Sequence, residues 1–156
     1  MKTGRGFTLL EMLIVVALVS LMAGITFPSI SAGVDSLRLA SASDQTVALW
    51  NAALNRAERR QQVVEVTIAP GAGALALRST EAGFTRELKL PDGVRVVKIL
   101  PEGAAGEDGP RRFYLYPGGA PPRVGLLLRN QRGVARWVRV DPITGVARIE
   151  LEVESE

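Results

Sequence analysis

The spacing of apolar residues changes character twice along the chain. From Phe7 to Phe27 apolar and small residues run almost continuously, and Glu11 is the only charge in that stretch. From Ser29 to about Gln62 the pattern becomes helical. Val34, Leu37, Ala40, Val47, Trp50, Leu54 and Ala57 recur at steps of three, four or seven, with Asp35, Arg38, Gln45, Asn51, Asn55 and Arg59 mostly elsewhere. This stripe is expected to lie on a sheet of the same domain rather than to form a coiled-coil seam, because its heptad regularity is poor. After residue 62 the period switches to alternation. The predicted strands are Val63–Ala69, Ala74–Ser79, Phe84–Leu90, Val94–Leu100, Arg111–Tyr116, Val124–Asn130, Ala135–Asp141 and Val146–Val153. Turn sequences separate several of them, among them PGAG at 70–73, PDG at 91–93, QRG at 131–133 and DPITG at 141–145. In the last strand Ile149, Leu151 and Val153 point inward by alternation, and Glu150, Glu152 and Glu154 outward.

These patterns predict an α+β chain, a long amino-terminal helix followed by an antiparallel, two-sheet β-rich domain. Its expected divisions are a short basic leader at 1–6, an apolar helix at 7–28, an amphipathic helix at 29–62 and a globular β domain at 63–156. Pro28 lacks a backbone donor and crowds the preceding turn. It either kinks the helix or marks a new start just beyond the apolar segment.

Composition narrows the chemistry. The chain has no cysteine and no histidine, so thiolate ligands, disulfides and the commonest general base are all missing. No phosphate-binding loop, nucleophile elbow or metal-ligand spacing occurs, so neither catalysis nor a cofactor is expected. The net charge of +3 is spread evenly along the chain. Loss of Lys2 and Arg5 with the leader would bring it to +1, so global basicity is no argument for nucleic acid.

Three readings compete for the amino-terminal segment. A secretory signal explains the basic start, but its apolar core is long, and cuts after Ala23 or Ala32 place Leu21 or Ile30 where a small residue is wanted. A plain membrane anchor, oriented by Lys2 and Arg5, leaves Glu11 unexplained, since an acid at mid-membrane costs about 2.5–3.5 kcal/mol. In the third reading the chain is cut between Gly6 and Phe7, which frees a charged amine four residues before Glu11. Carboxylate and ammonium attract strongly where the dielectric is low, and either is costly alone in lipid.

The residues Gly6, Phe7, Thr8, Leu9, Leu10 and Glu11, with the apolar stretch and Pro28 after them, resemble the class III signal of type IV pilins and type II secretion pseudopilins. The resemblance implies a prepilin peptidase that cuts after Gly6 and methylates the Phe7 amine. It implies that Glu11 is needed for methylation and assembly, and that a proline at the depth of Pro28 is usual. It also implies a single-pass bacterial inner-membrane protein with a cytoplasmic amino terminus and a periplasmic carboxy-terminal domain. The layout of helix then strands, with VDPITGVARI at 140–149, resembles the H-type minor pseudopilins and related minor pilins of type IV pili. The partners so implied are the major pseudopilin and other minor pseudopilins, or pilus subunits in their place.

Three further clusters are candidates for sites. Glu102, Glu107 and Asp108 lie on a glycine-rich loop at 102–109. Calcium needs six to eight oxygen ligands, and a solvated loop is the preferred reading. Arg123, Arg129, Arg132, Arg136, Arg139 and Arg148 face one acid, Asp141, between positions 123 and 148. Of these Arg136, Arg139 and Arg148 are the candidates for contacting nucleic acid. Some DNA-uptake minor pilins carry a GRxR motif near the carboxy terminus. Here Gly145, Val146, Ala147 and Arg148 lack its first arginine, so ion pairs with nearby glutamates are preferred and nucleic acid is not expected as a partner. Trp50, Phe113, Tyr114, Tyr116 and Trp137 could stack bases, but a chain with 5% aromatics needs most of them for its core.

Overall fold

The structure, a computed structural model, describes residues 7–69, 73–80, 83–102 and 109–151, and at 25–30 and 151 the backbone alone. One helix, α1 (Leu9–Arg60), precedes eight strands: β1 (Val64–Ala69), β2 (Ala74–Ser79), β3 (Thr85–Lys89), β4 (Arg95–Leu100), β5 (Arg111–Leu115), β6 (Gly125–Arg129), β7 (Ala135–Val140) and β8 (Ala147–Leu151). All eight predicted strands are present, most of them one residue shorter at their ends. Helical assignment continues through position 28. The chain divides into two compact units, one ending at Val34 and the other beginning at Asp35.

The second unit holds two four-stranded antiparallel sheets, ordered β3-β2-β1-β5 and β4-β6-β7-β8. Alternation gives three strands one buried side: Val64, Val66 and Ile68 on β1, Leu75 and Leu77 on β2, Val138 and Val140 on β7. These join Leu126 and Leu128 of β6 and a buried stripe of α1 in one hydrophobic cluster. Trp50 of the helix meets Phe113 of β5 edge-on, with ring centroids 6.4 Å apart.

The helix lies on its own domain's sheets, as expected, and Trp50 and Ala57 of the predicted stripe are buried, with Val47 and Leu54 packed against the core, but its first positions, Val34 and Leu37, are not on the buried face. Leu37 is 71% exposed and Val34 40%. The buried positions are Leu39, Ala42, Ser43, Thr46, Leu49, Trp50, Ala53 and Ala57, which form one face at helical spacing. Ser43 and Thr46 can occupy that face because each hydroxyl donates to the carbonyl four residues back, at 2.8 Å to Leu39 and 2.7 Å to Ala42. Their polarity concealed this part of the stripe in the sequence.

The helix end is closed by backbone geometry more than by its arginines. Gln61 takes a left-handed φ of 53°, and Gln62 N–H donates to the Ala57 carbonyl at 3.3 Å, the six-to-one bond of a Schellman end. Arg59 and Arg60 occupy the last turn, where cations complement the carbonyl ends. Arg56 instead stacks 3.4 Å above the Phe84 ring.

Candidate processing and assembly segment

Thr8 immediately precedes α1, so it is the N-cap residue and Glu11 is the third residue of the first turn. The Thr8 hydroxyl oxygen accepts the Glu11 backbone N–H at 3.2 Å, and Met12 N–H donates to the Thr8 carbonyl at 3.2 Å. The order T-x-x-E is that of a capping box. The sequence reading weighed Glu11 only as a buried charge and missed this signal, although the spacing displays it. The Glu11 carboxylate itself makes no hydrogen bond or ion pair among the described residues. It remains exposed at the helix end where a negative charge is favoured.

Beyond this cap the helix is apolar on every side. Leu9, Leu13, Val16, Leu18, Leu21 and their neighbours are all exposed, with Leu9 at 84% and Val15 at 49%. A helix apolar all round demands burial by lipid or by other helices. Among the described residues no helix is long and apolar enough to cross a membrane. Gly6 lies outside the described residues. Phe7 is described and 73% exposed, and Pro28 lies within α1 where only the backbone is described.

The three arginines named for nucleic acid do not share a face. Arg139 lies directly opposite Arg148 across the β7–β8 ladder, whereas Arg136 lies opposite Leu151. Arg136 is an odd number of residues from Arg139, so it falls on the opposite side of β7, the side of Val138 and Val140. Arg139 Nε is 3.2 Å from a Glu150 carboxylate oxygen, and its guanidinium lies 4.7 Å from the Trp137 ring centre. Arg132 pairs with Asp35 at 3.0 Å. Ion pairing with nearby acids therefore accounts for part of the arginine run, as expected.

Of the acidic loop, residues 103–108 lie outside the described ones, and with them Glu107 and Asp108. Glu102 pairs with Lys98 at 2.5 Å, and this ammonium holds the Glu102 carboxyl below the usual range. Among the described residues no group of three or more acidic side chains is placed to hold a metal ion.

Residues 1–27 match the prokaryotic N-terminal methylation motif. This prepilin-like motif ends before the amphipathic part of α1 begins and says nothing of the β domain. No curated protein and no solved structure matches the chain.

Proposed function

We propose that this chain is a structural, non-enzymatic subunit of a pilin-like filament, an H-type minor pseudopilin of a type II secretion pseudopilus. The methylation motif at residues 1–27 carries the reading. A helix with a bare apolar surface and one acid at its first turn supports it. In this reading a prepilin peptidase cuts between Gly6 and Phe7 and methylates the new amine. The apolar helix, extended by the residues up to Pro28, sits in the inner membrane with the β domain in the periplasm. The helix then joins the bundle of neighbouring subunits, where Glu11 neutralises the Phe7 amine of the next one and sets axial register. The filament supports export of folded proteins across the outer membrane, and a separate ATPase supplies the energy.

The second reading is a minor pilin of a type IV pilus, which shares the same amino-terminal segment. Nucleic-acid capture by that pilin gains little support from arginines split between two faces of β7. Cross-linking of the full-length protein in native membranes separates the two assemblies. Adducts with secretion pseudopilins support the first reading, and adducts with pilus subunits alone would replace it by the second.

A further inference from the structure

Four positions lie side by side across the β4-β6-β7-β8 sheet: Leu100, Gly125, Arg139 and Arg148. The next rank on that face is Lys98, Leu127, Trp137 and Glu150. This is the face opposite the core, because the core side carries Ile99, Leu126, Val138 and Ile149. Gly125 is buried, and the side chains of Leu100 and Trp137 close over it. A Cβ there would sit 3.3 Å from Leu100 and 3.5 Å from Trp137. Beside them lies a cleft of about 720 Å³, walled by Arg123, Arg139, Arg148, Asp141 and Glu150, with Pro101, Val124 and Pro142 giving apolar surface. That volume lies in the range of ligand sites, and apolar walls with a few convergent polar groups are their usual make-up.

The charges of the cleft are unequally satisfied. Arg139 and Arg148 are directly opposite one another, an arrangement that repels unless an anion lies nearby. Glu150 serves Arg139. Asp141 turns one oxygen to the Ile143 and Thr144 N–H groups, at 2.8 and 2.9 Å. These backbone bonds come first among the causes that hold its carboxyl below the usual range, with Arg148 a small contributor. Arg123 and Arg148 make no ion pair or hydrogen bond among the described residues. Among the described residues the cleft thus presents two guanidiniums without an ion pair beside apolar walls, Arg148 adding a small electrostatic pull on Asp141.

We infer that this cleft binds an acidic peptide segment of a partner protein, with one carboxylate held by Arg123 and Arg148 and an adjacent apolar side chain seated against Pro101 and Pro142. Charge complementarity selects the carboxylate, since a guanidinium fork matches it bidentately. Glu150 and Asp141 disfavour a polyanion, whose successive phosphates would meet acids within the same cleft. The inference concerns the β domain alone and does not rest on the filament reading.

Titration calorimetry on the full-length chain in detergent micelles tests it. The probes are N-acetyl-Leu-Glu-Leu-amide, its Gln counterpart, inorganic phosphate and a short single-stranded oligonucleotide. Saturable binding of the Glu peptide is expected, with the Gln peptide about tenfold weaker, the effect of losing one charge-assisted contact. Arg123→Gln and Arg148→Gln, both at exposed positions, should each weaken the Glu peptide by a similar factor, while Arg86→Gln on β3 leaves it unchanged. Equal binding of the two peptides, no saturable heat, or indifference to both arginine substitutions would overturn the inference. Tighter binding of phosphate or oligonucleotide than of the Glu peptide would overturn it as well.

Discussion

The side-chain oxygen of Asn51, in α1, accepts the backbone N–H of Ala147 at 2.9 Å, tying the helix to the first residue of β8. In the β7–β8 ladder Asp141 N–H donates to the Val146 carbonyl, so by antiparallel alternation the Ala147 N–H points away from β7. Asn51 thus supplies the partner that this edge strand lacks at that point. Asn51→Ala leaves the part-buried donor unsatisfied, and a loss of about 1–3 kcal/mol is expected. Urea unfolding of the full-length protein in detergent, followed by circular dichroism, measures it.

The start of the helix stripe gives a sharper contrast. Leu39 is 1% exposed and Leu37 71%, although the sequence period favoured Leu37. Leu39→Ala should cost about 2–5 kcal/mol, and Leu37→Ala no more than about 0.5 kcal/mol. The same unfolding measurement compares them, and similar losses at both positions would contradict the observed helix face.

Asp141 makes the DPITG turn acid-sensitive. Its folded-state pKa is lowered, first by the bonds from Thr144 and Ile143, so its contribution is present above the unfolded value of about 3.9. That contribution fades as pH falls from there through the lower folded value. Asp141→Ala should therefore be less stable than the native chain at pH 7, and the gap should narrow at about pH 2.5. Urea midpoints at the two pH values test the sign.

Much of this architecture was legible in the residues. Alternation marks β1, β2 and β7 because each buries one side only, which writes a period of two into the sequence, whereas β6 is buried on both sides and shows as a short apolar run between turns. The helix was legible in extent, and in phase over positions 47–57, but not around Leu39, because Ser43 and Thr46 hide their polarity in bonds to their own helix. The cleft was out of reach. It depends on the register that sets Gly125 beside Arg139 and Arg139 beside Arg148, and register is a product of pairing between distant strands. In the amino-terminal segment Glu11 was found by its charge, while Thr8 emerged only with the helix start.

It is the backbone N–H of Glu11 that takes part in the Thr8 cap, so the assembly role of its carboxylate can be tested without disturbing the helix start. Glutamine serves at the third helical position of a capping box as glutamate does, but it cannot neutralise an ammonium group. Glu11→Gln should keep the helix start and membrane association yet lose co-isolation with neighbouring subunits. Thr8→Ala should weaken the cap by about 1 kcal/mol and retain assembly. Sedimentation of membrane-extracted assemblies, probed for this chain, distinguishes them, and normal incorporation of Glu11→Gln would contradict an assembly role for the Glu11 carboxylate.

The central claim concerns residues 6 and 7, and mass spectrometry of the amino-terminal peptide of the protein isolated from bacterial membranes tests it most directly. A chain that begins at Phe7 and carries a methylated amine is the predicted result. A chain that retains Gly6, or one cut after Ala23, would contradict the account.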